Sequence, residues 1–352
     1  MKTFFIFLAM GWLVLRATPA VAAGGLPGVV ILATGGTIAG KAASAMQLTG
    51  YKPGELTAGE LIAAAPGISD FARISAEQIA NIGSPNITVE IWLKLAARIN
   101  ELLASTDVAG IVVTHGTDTI EETGYFLNLV VKSDKPVVLV GAMRPATAVS
   151  ADGPLNLIQA VAVASSPDAR GRGVLVVLNG EINGARDVTK TSATQVETFR
   201  SHDFGFLGYV VNNRPEFHRQ STRRHTVSSE FDISGLTNLP LVDILYGYVD
   251  PSMRALEAVL ESGLAGLIIA GTGNGSLTAQ YRARLAEASK KGLAVMRGSR
   301  TGSGVVTYDP RDDEPGFMFS GSLNPQKARI LLMLALTKTR DRAEIQRIFS
   351  EY

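Results

Sequence analysis

The stretch Val29 to Gly40, Val-Val-Ile-Leu-Ala-Thr-Gly-Gly-Thr-Ile-Ala-Gly, constrains this chain more than any other. Val29 to Ala33 is a continuous apolar run with β-branched residues, which predicts a strand buried on both faces. It stops at Thr34-Gly35-Gly36-Thr37, where two residues without a Cβ let the backbone turn tightly and approach a ligand. The flanking threonines put hydroxyls at the strand's carboxyl end, where open parallel sheets form their ligand crevice. Alone, this would be an ordinary Gly-Gly turn after a core strand. The chain repeats the design, however: Ala109 to Val113 is a second apolar strand, and it ends in Thr114-His115-Gly116-Thr117-Asp118-Thr119. Two such loops on neighbouring strands predict one shared pocket lined by hydroxyls.

Strands and helices alternate around these two loops. Leu56–Ala65 is a predicted helix ended by Pro66-Gly67, and Gln78–Ile82 a short strand leading into Gly83-Ser84-Pro85-Asn86. Thr88 caps a long helix whose Trp92, Leu95, Ala96, Ile99 and Leu103 recur at three and four spacing. Helix Ile120–Val131, strand Pro136–Val140, helix Asp152–Ala164 and strand Val174–Leu178 follow, then short alternating strands over Phe204–Thr226. Phe231–Pro240 is rich in turn residues and reads as a linker. Beyond it come strands Val242–Tyr246, Gly266–Ala270 and Leu293–Arg297, helices Pro251–Glu261 and Leu277–Lys290, and a helical hairpin opened by Asn324-Pro325. The expectation is an α/β fold of two doubly wound parallel-sheet domains. The larger, N-terminal domain spans 23–230, the linker 231–241 and the smaller, C-terminal domain 242–352.

A length of 352 residues also favours two domains. With 46% hydrophobic and 18% charged residues the chain is globular, and a net charge of +1 argues against nucleic acid or an anionic membrane surface as the main partner. No cysteine is present, which excludes disulfides, thiolate metal sites and a lipoprotein anchor, and no His or carboxylate cluster has metal-ligand spacing. At the N-terminus, Lys2 precedes the apolar run Phe4–Leu15, too short to span a bilayer, and Ala20-Val21-Ala22 supplies a small-x-small cleavage site. Residues 1–22 therefore read as a secretory signal, despite Arg16 just after the apolar run.

A threonine hydroxyl is a weak nucleophile at neutral pH and needs a base beside it. Asp118 adjoins Thr117, and Lys190 sits in the polar segment Arg186–Thr191, although the common fate of a lysine is a solvated surface. His115 fits a satisfied core histidine as well as a catalyst, whereas His202, His218 and His225 lie in the strand-switching region and read as structural or exposed. No Gly-x-Ser-x-Gly elbow supports a serine hydrolase. Gly271-Thr272-Gly273-Asn274-Gly275-Ser276 follows a strand and opens a helix, the setting of a phosphate-cradling loop. The acid that a dinucleotide requires at the end of the next strand is missing, since Arg297-Gly298-Ser299-Arg300 stands there. That argues against a dinucleotide and leaves a carboxylate or a phosphate open.

Thr34-Gly35-Gly36-Thr37-Ile38-Ala39-Gly40 and Thr114–Thr119 resemble the two signature motifs of bacterial type II, periplasmic L-asparaginases and glutaminase-asparaginases. The resemblance continues through Gly141–Pro145, Ser150–Pro154, Arg186–Thr191 and Leu323–Arg329, over nearly the whole mature chain. It implies a cofactor-free hydrolase of L-asparagine, exported to the periplasm, working as a homotetramer whose active sites are shared between subunits. By motif position Thr37 would be the nucleophile that forms an acyl-enzyme, and Tyr51 a lid residue that helps activate it. Thr117, Asp118 and Lys190 would form a second threonine group that handles proton transfer, with Ser84 and Asp118 holding the α-carboxylate and α-amino groups. Two positions depart from the family pattern. Pro85 stands where glutamine or glutamate usually meets the α-amino group, and Ser276 where many strict asparaginases carry asparagine. Serine there goes with more glutaminase activity, so a glutaminase side reaction is expected. The acid after Thr301-Gly302 aligns to Asp309, with Asp312 as the alternative. A two-lobed binding protein for amino acids would also close on such a ligand, but it has no need of two threonine loops and a lysine.

Overall fold

A computed structural model describes residues 25–352 of the chain. Residues 1–22, read above as a secretory signal, lie outside the described residues. The polypeptide forms, in order, β1 (Gly28–Gly35), α1 (Ala58–Ala63), β2 (Arg73–Ile82), α2 (Val89–Ala104), β3 (Gly110–Thr114), α3 (Ile120–Val130), β4 (Val137–Val140), α4 (Gly153–Ser165) and β5 (Val174–Leu178). Short strands β6 (Glu181–Gly184), β7 (Thr189–Lys190), β8 (Phe199–Arg200), β9 (Gly208–Val211) and β10 (Arg214–Phe217) follow. The last part comprises β11 (Val242–Tyr246), α5 (Met253–Glu261), β12 (Gly266–Gly271), α6 (Ala279–Lys290), β13 (Ala294–Ser299), β14 (Met318–Phe319), α7 (Pro325–Ala335) and α8 (Arg342–Glu351).

Eight strands make one sheet in the order β10-β9-β6-β5-β4-β3-β1-β2, and four make a second in the order β11-β12-β13-β14. The second sheet is parallel throughout. The first is parallel from β2 to β5, as expected, and is extended by an antiparallel end from β5 to β10. The cause lies in the connections. Asn179-Gly180 joins β5 to β6 as a tight turn with positive φ at both residues, and Asn212-Asn213 does the same between β9 and β10. Turns that short return the chain antiparallel, whereas a parallel neighbour needs a crossover.

The strand at 78–82 is longer than its apolar signal. It starts at Arg73 and forms the sheet's outer edge, where polar residues face solvent and dilute the pattern. The helix read at 56–65 shortens to α1, whose start Thr57 and Glu60 fix by a reciprocal capping box. Thr88 accepts from the Ile91 N–H and caps α2 as expected, an interaction worth about 1 kcal/mol.

The central strands are buried on both faces, and alternate residues feed different cores. Val30 and Leu32 join Ile111 and Val113 under α2 and α3, while Val29 and Ile31 join Val112 and Val140 under α1 and α4. The first of these cores runs on without a break into α7, α8 and one face of the second sheet, because α3 packs against α7. The other face of the second sheet packs on α5 and α6. The 231–240 segment carries no regular element, yet Phe231 is buried and its ring meets that of Tyr352. Among the described residues no helix is long and apolar enough to cross a membrane.

Candidate active site

β1 and β3 are parallel neighbours with Ala33 opposite Thr114, so their carboxyl-end loops open side by side. The loops are stapled where they leave the sheet, as the Thr34 hydroxyl donates to the Thr114 carbonyl at 2.9 Å. Beyond that point only glycine fits. Gly36 has φ +84, and a Cβ there would stand 2.3 Å from the Gly116 nitrogen. A Cβ on Gly116 would in turn stand 2.6 Å from Ser84 Oγ, so the three loops meet glycine against glycine against serine. This contact brings Thr37, Thr117 and Ser84 to one cavity of about 970 Å³, lined also by Tyr51, Pro85, Asp118, Met143, Arg144 and Lys190.

Thr37 Oγ1 lies 2.7 Å from the Tyr51 hydroxyl. Tyr51 reaches it from the 40–54 loop, a hairpin closed by reciprocal Lys41 and Lys52 backbone bonds, and its ring covers Gly40. Across the cavity Lys190 Nζ donates to Thr117 Oγ1 at 3.0 Å and to Asp118 Oδ1 at 2.7 Å. The Lys190 side chain is 16% exposed and that of Asp118 59%. The lysine is thus withdrawn from solvent, while the carboxylate still presents a surface to a ligand. Ser84 is buried, accepts from the Asp118 N–H at 3.2 Å on its hydroxyl and from the Thr119 hydroxyl on its carbonyl. Each threonine has a distinct partner: a phenol on one side, an ammonium paired with a carboxylate on the other.

Of the residues singled out from the sequence, Thr37, Tyr51, Ser84, Thr117, Asp118 and Lys190 converge on this cavity. Ser276 and Asp309 of the same chain do not line it. Ser276 is exposed and pairs by its backbone with Thr272, while Asp309 caps a short turn and is ion-paired to Arg311. The alternative acid Asp312 is 2% exposed and bound by Arg297 and Arg282, so it has no freedom to meet a ligand.

The remaining motif residues support the site from behind. Asp152 accepts from the N–H groups of Met143 and Arg144, both at 2.9 Å, and so shapes the cavity wall. Arg186 binds the Tyr352 carbonyl, Asp187 and Ser322. Lys327, 2% exposed, donates to the carbonyls of Arg186 and Val188, and burial lowers its pKa to about 8. Lys327 and Glu121 were missed in the sequence. Each stands next to another polar residue, Gln326 and Glu122 respectively, so no local pattern announces its burial.

His115 is a core residue rather than a catalyst. Its ring is fully buried, with Nδ1 2.7 Å from the Gly116 carbonyl and Nε2 2.9 Å from Thr123 Oγ1, which also accepts from Trp92 Nε1. Burial lowers its pKa from 6.5 to about 4. The unfolded chain therefore takes up the proton first as pH falls, and stability is lost between about pH 6.5 and 4, by about 3 kcal/mol in all. Thermal midpoints should fall over that window, and His115→Gln should flatten the fall. An unchanged slope in that variant would show that His115 does not titrate with unfolding. His202 and His218 are exposed, and half-buried His225 makes a capping box with Ser228.

With this geometry in hand, comparison with known proteins is direct. The model of the asparaginase N-terminal domain matches residues 28–223, and that of the glutaminase/asparaginase C-terminal domain matches residues 241–349. L-asparaginase 2 of Bacillus subtilis is 54% identical over 93% of this chain and 87% of its own length. A probable periplasmic L-asparaginase of Haemophilus influenzae is 50% identical over 93% of each chain. The crystal structure of a probable cytoplasmic L-asparaginase from Campylobacter jejuni superposes with a TM-score of 0.91 at 50% identity, covering 93% of this chain and all of that one. By both of its matched domains and by this degree of identity, the chain belongs to the asparaginase family.

Proposed function

We propose that this chain is an exported amidohydrolase that converts L-asparagine to L-aspartate and ammonia through a threonine acyl-enzyme. The observation that carries the reading is the pair of threonines in one cavity, Thr37 on Tyr51 at 2.7 Å and Thr117 on Lys190 at 3.0 Å. Thr37 Oγ1 bonds to the side-chain amide carbon, and its proton leaves through Tyr51. The C–N bond then breaks as the leaving nitrogen takes up that proton and departs as ammonia. Water, activated through Thr117 and Lys190, hydrolyses the ester and frees Thr37. The substrate's ammonium meets Asp118, and its carboxylate meets Ser84. Incubation of purified protein with L-asparagine should release ammonia, and no release above a no-enzyme control overturns the reading.

Ser276 and Asp309 are assigned to the cavity of a neighbouring subunit in a homotetramer. The support is their absence from the lining of their own chain's cavity together with the family pattern. Export rests on Lys2, Phe4–Leu15 and Ala20-Val21-Ala22, and on the periplasmic name of the Haemophilus relative.

Selectivity follows from the two departures. Glutamine is one methylene longer than asparagine, a difference worth about 1–3 kcal/mol to a pocket that measures length. Serine at 276 leaves room for it, so glutaminase activity should be measurable, and Ser276→Asn should shift the kcat/KM ratio toward asparagine. Pro85 lines the cavity but offers no side-chain acceptor to the α-ammonium. A hydrogen bond to a charged group contributes about 1.5–3 kcal/mol. Pro85→Gln should therefore lower KM for both amides alike. A ratio altered by Pro85→Gln and untouched by Ser276→Asn would mean a differently arranged pocket.

A further inference from the structure

Lys190 lies on β7, a two-residue strand outside both large sheets, paired only with β8. Its place depends on what holds that ribbon against the body. The carbonyls of Arg186 and Val188 are held from behind by Lys327. The Lys190 N–H goes elsewhere: it donates at 2.8 Å to Oε2 of Glu121. Glu121 is 4% exposed and sits in the first turn of α3, three residues after Asp118. Its other oxygen accepts from Gln326 Nε2 at 2.5 Å and Asn324 Nδ2 at 3.5 Å, at the start of α7. One buried carboxylate therefore joins three things: the loop that carries Thr117 and Asp118, the peptide that carries Lys190, and the α7 terminus.

We infer that Glu121 is a positioning residue for the reaction, which sets the reach of the Lys190 ammonium to Thr117 and Asp118 by fixing the Lys190 peptide. This rests on the assignment of Lys190 to proton transfer. The physical argument is one of leverage. Glu121 follows Thr117 by four residues in the chain and its carboxylate holds the Lys190 N–H, so a slack peptide at 190 moves Nζ relative to Thr117 even when the fold is intact. Effective catalysis requires such groups to be held within fractions of an ångström. Glu121 touches neither cavity nor substrate, and it does not line the pocket.

The test is a cycle of purified full-length variants assayed for ammonia release. Glu121→Met keeps the length and removes both acceptors; kcat should fall at least about tenfold with KM within about threefold. Glu121→Gln keeps one oxygen for the Lys190 N–H, while the Gln326 amide turns to accept from the new NH₂; kcat should stay within about threefold of wild type. In a Lys190→Met background, Glu121→Met should cost less than twofold more, since its effect passes through the missing ammonium. If Glu121→Met does not fold, Glu121→Asp takes its place: it retains the charge but is one methylene too short to serve Lys190 and Gln326 together, and the same loss of kcat is expected. A normal kcat with a lowered thermal midpoint would overturn the inference and make Glu121 only a counter-charge for buried Lys327. An equal fractional loss in the presence and absence of Lys190 would overturn it too. Full activity of Lys190→Met itself would instead remove the assignment on which the inference stands.

Discussion

Thr37→Ala is expected to lose at least about a thousandfold in kcat, about 4 kcal/mol of transition-state stabilisation, with the fold unchanged. The stability side of this expectation follows from the contacts. Among the described residues the Thr37 hydroxyl bonds to the Tyr51 hydroxyl, beside the Lys41–Lys52 pair that closes a surface hairpin, and alanine leaves the Gly36–Gly116 packing beneath it intact. The thermal midpoint should move by no more than a few degrees, as for a single part-exposed hydrogen bond. The activity side follows from the absence of a substitute. Within the cavity the other buried hydroxyls are committed: Thr117 accepts from Lys190, and Ser84 accepts from the Asp118 N–H. Thr117→Val should be comparably damaging. The double variant should be little worse than either single one, because groups that act as a unit are not additive. Steady-state ammonia release and scanning calorimetry measure both sides, and substantial turnover by Thr37→Ala would mean that the two threonines have been given the wrong roles.

The residues that line the cavity were legible in the sequence because their chemistry and their backbone demands coincide. Gly36 and Gly116 are needed where two strand ends touch, and threonines stand beside both, so a local pattern records a contact between segments 80 residues apart. The parallel core was legible for a similar reason. Strands such as Val137–Val140 and Val174–Leu178 are buried on both faces and keep an unbroken apolar run. What escaped was set by tertiary contact alone. The first residues of β2 look polar because an edge strand shows one face to water. The antiparallel end of the large sheet depends on two-residue turns, not on the strands themselves. Apart from the motif resemblance, Lys190 was indistinguishable from a surface lysine. Its burial comes from β7, which no apolar run announces, and from Glu121, 69 residues away.

Two lysines of the same neighbourhood give the sharpest contrast between chemistry and architecture, and Lys190→Met is the second large effect expected. Methionine matches the lysine stem in length and fills its volume, so packing is preserved. The contacts removed are a hydrogen bond to Thr117 and an ion pair with a carboxylate that is more than half exposed. A pair that wet contributes about 0–1 kcal/mol, and Asp118, once released, is solvated rather than stranded. The thermal midpoint should therefore stay within a few degrees of wild type. Turnover should fall by three orders of magnitude or more, since the variant removes the ammonium that donates to the Thr117 hydroxyl. Lys327→Met should do the reverse. Its ammonium is buried and serves two backbone carbonyls, which would be left without a donor at a cost of about 1–3 kcal/mol each. That variant should unfold markedly more easily, and whatever activity it loses should track the fraction unfolded. If Lys190→Met were the unstable variant and still turned over normally when folded, Lys190 would be a structural residue, and the proton path through Thr117 would have to start from another group.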